Sequence, residues 1–420
     1  MSLNDCTRRT LGITDRNITF DQENLNYFTY IRGKKTLVYV GYLDYKIDRC
    51  PNCGRIETFK KNGTTTSVIT LANHGDQPTA IKLTKQRYLC PNSSCHSSFI
   101  SHSSIVKSNR FVSENTRSLV MKYATTDKSN KDIAALTGIS ASTVSRIISE
   151  TSGTHYYKYN SELPENICID EFRSVQKQMS FITCDAETHE LLEILPGRKT
   201  NDIKSFFEGF DEPARKCVKT VTMDLNANYQ RIIQRLFPNA QIIIDRFHVI
   251  QMLGKAIDNE RLRALEKLDK STREYKIIKT QWKVFKKSGE KLITSKRTYR
   301  LHNHEYLTDY EILEIGFSKS PRLKAVWEVY QSLLKTIHNN DKQGFYDCIN
   351  NYKQTGTQMD DVMVTFKQNL AFIGNAVVYS YSNGPLEGLI RKIKQIRRTA
   401  YGYRNMKNLF TRIRLELRTK

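Results

Sequence analysis

Three observations on this chain of 420 residues predict a multidomain α/β protein. Two cysteine knuckles, Cys50-Pro51-Asn52-Cys53 and Cys90-Pro91-Asn92-Ser93-Ser94-Cys95, enclose strand-like segments. Residues 114 to 151 then change to helical periodicity broken by a Gly turn. From residue 161 strand-type and helix-type runs alternate, and a long charged, helically periodic stretch separates them from a final basic helix. A chain of this length accommodates about two to four domains.

The charge balance limits the partners. Lys and Arg number 66 against 43 Asp and Glu, a net +23, far more than solubility needs, which favours a polyanion. Nucleic acid is expected ahead of a membrane surface, because no run approaches the roughly 18 apolar residues of a spanning helix. Met1-Ser2-Leu3-Asn4-Asp5 has neither the basic start nor the apolar centre of a signal peptide, so a cytoplasmic location is expected. Nine cysteines fit that setting: four form the spaced cluster, while Cys6, Cys168, Cys184, Cys217 and Cys348 are scattered, the middle three within predicted strands.

Residues 1–34 are polar with little periodicity and read as a loosely ordered arm with a short helix at most. Residues 35–105 read as a zinc ribbon. Thr36 to Leu43 has strand composition, and Ser67 to Leu71 and Ala80 to Leu83 form an enlarged hairpin between the knuckles. Cys50, Cys53, Cys90 and Cys95 supply four thiolates and no open position, the pattern of one structural zinc; unrelated free cysteines or two disulfides are the alternatives. His96 is expected to be a surface histidine.

Residues 106–160 read as a helix-turn-helix. A short helix from Asn130 ends at Gly138, and Ser140 caps a second helix whose Val144, Ile147 and Ile148 face inward. Ser142, Thr143, Ser145 and Arg146 line the opposite face, with Lys131 nearby, as candidate DNA contacts. An ordinary helical hairpin packed on a neighbour is the alternative.

Residues 161–249 carry the chemistry. Strands are expected at Asn166 to Arg173, Gln178 to Cys184, Glu190 to Leu195, Cys217 to Met223 and Gln241 to Ile244, with helices at Asn201 to Phe210 and Ala227 to Phe237. Three strands, a helix, then alternation is the order of an RNase H-like sheet, in which strands one and four lie side by side. That order brings together Asp170, which closes Ile167-Cys168-Ile169, and Asp224, which closes Val218 to Met223. Glu387 joins them from the first turn of the basic helix, where Pro385 favours a helix start. Such converging acids need counter-charge, and two magnesium (or manganese) ions roughly 3.5–4 Å apart would provide it. Each acid alone reads more readily as a turn, cap or helix-start residue. Alternation sends the neighbouring Glu171 to the opposite face.

Together these segments resemble a known family. Ile169-Asp170-Glu171-Phe172, Met223-Asp224-Leu225-Asn226-Ala227-Asn228-Tyr229, Asp245-Arg246-Phe247-His248-Val249 and Ser382-Asn383-Gly384-Pro385-Leu386-Glu387-Gly388 are similar to signatures of the ISL-three (ISL3) family of bacterial insertion-sequence transposases. Phe237-Pro238-Asn239-Ala240 and the run from Lys394 to Asn405 are similar as well. The resemblance implies a DDE transposase with Asp170, Asp224 and Glu387 as its magnesium-binding triad. It further implies double-stranded DNA partners, both transposon ends and target, a homodimer or larger synaptic assembly, and work at the bacterial nucleoid. Asp245 and His248, with Asn383, read either as supports of the active site or as a structural hydrogen-bonded group. The alternatives in function are a non-catalytic DNA-binding regulator and a nuclease without strand transfer. The second cysteine pair departs from the family by its four intervening residues.

Residues 250–379 read as a helical insertion, in which Trp282 and Trp327 either stack on a base or pack in the core. Residues 380–420 complete the catalytic domain. Here Arg391, Lys392, Lys394, Arg397, Arg398 and Arg404, interleaved with Tyr401 and Tyr403, are candidate phosphate contacts.

Overall fold

The computed structural model describes residues 2–45, 47–56, 58–152 and 162–418. It divides into two compact units, Met1–Tyr156 with Lys392–Lys420, and Tyr157–Arg391. The division near residue 160 expected from the sequence lies outside the described residues.

The first unit opens with α1 (Leu3–Thr10), where the Ser2 hydroxyl accepts from the Asp5 amide at 3.2 Å. Strands β1 (Ile18–Phe20), β2 (Asn26–Ile31), β3 (Lys34–Leu43), β4 (Lys60–Thr70), β5 (Thr79–Leu89) and β6 (Ser98–Ile100) form one sheet in the order β1-β3-β5-β4, with β2 also on β3 and β6 on β5. The loosely ordered arm expected for residues 1–34 is instead part of this sheet. Leu11, Ile13, Ile18 and Phe20 are buried against Leu43, Ile69, Ile81 and Leu83. Three-residue β1 is too short to show periodicity in a sequence window, and its burial comes from contacts distant in the chain. The β2–β3 turn is a two-residue turn, Arg32-Gly33, with φ of 52° and 76°; positive φ at both positions is the hairpin geometry usually signalled by Asn-Gly.

Three helices follow, α2 (Glu114–Ala124), α3 (Asn130–Thr137) and α4 (Ala141–Ser152). Ser129 and Asp132 form a capping box at the start of α3, and Gly138 ends it at φ +70°, a conformation that a side chain would strain. The Ser140 hydroxyl accepts from the Thr143 amide at 3.2 Å and so starts α4. Val120, Ala124, Ile133, Ile139, Val144, Ile147 and Ile148 close a common core.

The second unit is built on β7 (Asn166–Arg173), β8 (Met179–Asp185), β9 (Leu191–Leu195), β10 (Thr220–Met223) and β11 (Gln241–Ile244), in the order β11-β10-β7-β8-β9. The pairs β7–β8 and β8–β9 are antiparallel, whereas β7–β10 and β10–β11 are parallel. The expected neighbours, first strand and fourth, are therefore adjacent, with Thr222 opposite Cys168. The expected strand Asn166 to Arg173 is β7; Asp170 lies within it, where it continues with β8 to Arg173, and so stands just beyond its ladder with β10. One detail differs from expectation. Cys217 ends helix α6 instead of opening β10.

Helices α5 (Thr200–Glu208), α6 (Glu212–Lys216) and α7 (Ala227–Leu236) connect these strands, and α8 (Arg246–Glu266) leaves β11 and runs unbroken across residue 250. Beyond it lie α9 (Arg273–Thr280), α10 (Trp282–Phe285), the hairpin β12 (Thr298–Arg300) and β13 (Glu305–Leu307), α11 (Asp309–Lys319), α12 (Pro321–His338), α13 (Lys342–Asn350), α14 (Gln358–Gln368) and α15 (Leu370–Val378). One apolar core joins the sheet to these helices: Ile244, Val249, Leu253, Leu333, Phe345 and Phe366 belong to it. Trp327 packs its ring 5.4 Å from that of Phe317, while Trp282 is more exposed, with Lys286 4.9 Å over its face. The chain ends with α16 (Gly384–Thr399) and α17 (Met406–Arg418).

Candidate active site and metal centre

The knuckles hold their four cysteines through backbone turns. The Gly54 amide donates to the Cys50 carbonyl at 3.0 Å, and the Cys95 amide to the Asn92 carbonyl at 2.9 Å. The four Sγ atoms lie within 4.8 Å of one another. Cys50 and Cys95 are 4.0 Å apart and Cys53 and Cys90 3.8 Å, too far for disulfides at about 2.05 Å and close to the roughly 3.8 Å edge of a tetrahedron with 2.3 Å zinc–sulfur bonds. Hydrogen bonding prepares part of the set for metal. The Cys53 amide, with Ser97, draws the Cys50 thiol down to about 6, and the Ser97 hydroxyl lowers Cys95. Burial pushes Cys90 up to about 12, a thiol that a bound cation would deprotonate. Phe59, Tyr88 and Phe99 pack beneath the cluster, and His96 stays outside it, exposed. The donor set fits one structural zinc.

The acids gather at one end of the central strands. Asp224 follows β10, Asp245 follows β11 at the start of α8, and His248 occupies the first turn of that helix. His248 Nδ1 lies 3.1 Å from both Asp224 Oδ1 and Asp245 Oδ2. Asn383, 1% exposed at the start of α16, donates its side-chain amide to Asp224 Oδ1 at 3.2 Å and to the Ile169 carbonyl at 3.5 Å, and its backbone amide to Asp245 Oδ1 at 3.4 Å. Asp224, Asp245 and His248 thus form the tightest acidic group among the described residues that could hold a cation.

The expected triad is only partly brought together. Asp170 adjoins Asp224 closely enough for their charges to interact, but lies outside that tight group. Burial, and then the Asp224 charge, push Asp170 up to about 7; burial, with the Asp245 charge, raises Asp224. Glu387, in the first turn of α16, is half exposed, with Arg391 3.9 Å away. Glu171 is held elsewhere, by Arg198 at 2.7 Å and the Tyr229 hydroxyl at 2.6 Å. Sequence reasoning named Asp245, His248 and Asn383 as supports of the site or a structural group, and the structure gathers them around Asp224. The signal was the short interval from Asp245 to His248 immediately after a buried strand, which puts both side chains on the first turn of a helix.

The donor set of carboxylate oxygens with one imidazole suits a hard or borderline divalent ion. Two features fit such occupancy. Asp170 and Asp224 are both pushed upward, first by burial and then by a neighbouring carboxylate, and Asn383 Oδ1 is buried without a hydrogen-bond partner.

Among the candidate DNA contacts, Lys131, Ser142 and Arg146 are exposed, with Thr143 and Ser145 partly so. On α16, Arg391, Lys392, Lys394 and Arg398 are exposed and Arg397 is partly so, while Ile393 and Ile396 are buried; Arg404 is exposed in the following loop.

By likeness to known proteins, this sheet and the cysteine cluster before it belong among transposases. Residues 167–413 match the ISL3-type DDE family described as "Transposase", and residues 48–95 match the "zinc-finger of transposase IS204/IS1001/IS1096/IS1165". The chain belongs to the ISL3 transposase family. It is 26% identical over 257 residues to the transposase for insertion sequence element IS1001 of Bordetella parapertussis, covering 60% of each protein. It is also 34% identical over 115 residues to a Lactococcus lactis subsp. lactis protein named "ATP-dependent protease", covering 27% of this chain and 37% of that one. The match thus spans 60% or less of either relative's length. Among the described residues no helix is long and apolar enough to cross a membrane.

Proposed function

We propose that the chain is a metal-dependent DDE transposase that binds the terminal inverted repeats of its own insertion sequence, cleaves DNA at the ends to expose 3′-hydroxyls, and joins them to target DNA. The observation that carries this reading is the convergence of Asp170 and Asp224 from adjacent strands, with Asp245, His248 and Asn383 fastened around Asp224.

In this reading residues 161–249 and 380–420 form an RNase H-like catalytic domain, 250–379 its helical insertion, and 106–160 a helix-turn-helix behind the zinc ribbon. The protein acts on double-stranded DNA in the bacterial cytoplasm, at the nucleoid, as a homodimer or larger assembly. Asp170, Asp224 and Glu387 would hold two magnesium or manganese ions. When bound, such a pair supplies activation of the attacking oxygen and charge stabilisation at the leaving oxygen. The chain's own residues do the positioning. Asn383 fixes one Asp224 oxygen by donating to it. His248, held by Asp245, approaches the same oxygen and offsets part of the crowded negative charge; its protonated form is favoured chiefly by that Asp245 hydrogen bond. Arg391, one turn beyond Glu387, and the cations after it would neutralise phosphates beside the scissile bond.

Purified protein is assayed on duplexes carrying the ends of the element, with magnesium, for nicking and for joining of pre-cleaved ends. The wild type is expected to do both, and Asp224→Asn and Glu387→Gln to lose both while retaining end binding. Nicking without joining would make it a nuclease, and binding without either would make it a regulator; each outcome overturns the proposal.

A further inference from the structure

The turn between β2 and β3 carries an unbroken positive charge. No acidic residue occurs between Glu23 and Asp44, whereas Arg32, Lys34 and Lys35 are consecutive but for one glycine. All three are exposed, and none pairs with a carboxylate among the described residues. Lys35 is opposite Tyr30 and rests over the Phe28 ring at 4.9 Å, so one face of the hairpin presents Phe28, Tyr30 and Lys35, with Tyr30 76% exposed. Pairing of Ile31 with Lys34 and of Thr29 with Thr36 directs Ile31, Lys34 and Thr36 to the other face.

That other face meets the start of α4. Ile31, Arg32, Lys34 and Thr36 line a cavity of about 130 Å³ together with Gly138, Ile139 and Ser140, the turn that launches the helix. Asn73, between β4 and β5, holds that turn against the sheet. The Asn73 side-chain amide donates to the Leu136 carbonyl at 3.0 Å, and its oxygen sits so near Gly138 that a Cβ there would lie 2.7 Å away. The two-residue turn fixes the backbone of the hairpin tip, so only the side chains of its cations remain to be ordered against a partner.

We infer that the β2–β3 hairpin is a second DNA-contacting element, laying Arg32, Lys34 and Lys35 on the phosphate backbone of the duplex beside the groove that α4 reads. The inference rests on the helix-turn-helix reading of α3 and α4. In such docking the N-terminal residues of the second helix point to the base edges. A cationic tip next to Ser140 then reaches the sugar-phosphate strand bordering that groove. Phosphate contacts of this kind set orientation and register without reading sequence.

The test uses the full-length, zinc-loaded protein and a duplex of random sequence, with affinity measured against salt concentration. The slope of log affinity on log salt falls by about 0.9 for each phosphate that the protein no longer neutralises. The triple variant Arg32→Ser, Lys34→Ser, Lys35→Ser is expected to lower it by about 2 to 3 on that basis. The charge-preserving variant Arg32→Lys, Lys34→Arg, Lys35→Arg should keep the wild-type slope, and hydroxyl-radical footprints of the serine variant on end duplex should lose protection on one flank only. An unchanged slope in the serine variant, or an equal fall in the charge-preserving one, overturns the inference. A change in oligomeric state with no change in slope also overturns it, because the hairpin would then be a protein-binding surface. Failure of the helix-turn-helix reading is recognised separately, as affinity for both end and random duplex left unchanged by Arg146→Ala.

Discussion

Asp170→Asn is expected to stabilise the metal-free catalytic unit while abolishing its chemistry, and the size of the effect follows from its surroundings. The carboxyl is pushed from its ordinary value of 3.8 up to about 7, first by burial and then by Asp224. Below 3.8 it is protonated both folded and unfolded, and contributes no difference. Between 3.8 and about 7 the unfolded chain is ionised while the folded chain holds the proton, so stability falls as pH rises. The full loss is reached above about 7, on the order of 4 kcal/mol at 1.36 kcal/mol per unit, an upper figure because water reaching the carboxylate reduces it. Asparagine cannot ionise, so the variant should exceed the wild type by up to about that amount at pH 8 and by little near pH 4. The assay is urea unfolding in EDTA followed by tryptophan fluorescence. Both tryptophans of the chain, Trp282 and Trp327, lie in Tyr157–Arg391, so the signal reports that unit even if chelation disturbs the zinc site. Saturating magnesium should narrow the gap, since an ion bound by the wild-type carboxylate stabilises only the folded state. Equal stability of the two proteins at pH 8 without metal, or a gap that grows toward acid, would refute the electrostatic reasoning.

The cysteine cluster should hold about one zinc per chain, measured by elemental analysis, and Cys50→Ser should lose the metal and unfold the ribbon while tryptophan fluorescence stays native. Arg146→Ala should lose selectivity for the element's ends over random duplex by about 1–3 kcal/mol in competition binding; an equal loss on both would mark a phosphate contact instead. Asn383→Ala removes the donor to Asp224 and should slow magnesium-dependent cleavage by an amount equivalent to about 1–3 kcal/mol, read as rate at saturating metal, without affecting end binding.

What was legible in the sequence was whatever local spacing dictates. The knuckles fix four sulfurs, Ser129, Gly138 and Ser140 mark helix ends by their own chemistry, and five apolar runs in a characteristic order give the central sheet. One neighbour relation, β7 beside β10, followed from the RNase H-like order of those runs. The missing parts depend on distant contacts. Ile18 and Phe20 become strand residues because β3 pairs with them, and the Arg32-Gly33 turn adopts positive φ without the Asn that usually announces it. The site was read as Asp170, Asp224 and Glu387, yet the tightest cluster centres on Asp224, Asp245 and His248. That grouping requires knowing that β11 lies beside β10, so that residues leaving both strands emerge together.

Helix α8 begins at the residue after Asp245, bears His248 in its first turn, and continues for 21 residues, about 30 Å, into the helices beyond. Arg246 in the same turn donates to the carbonyls of Ala376 at 2.9 Å and Val377 at 3.1 Å, so both ends of residues 250–379 are fastened close to the acids. The helical stretch is therefore a lever and not a detachable accessory: a tilt of α8 reaches the His248–Asp224 contact without any hinge to absorb it. Shortening or exchanging those helices is expected to disturb the contact of His248 with Asp224.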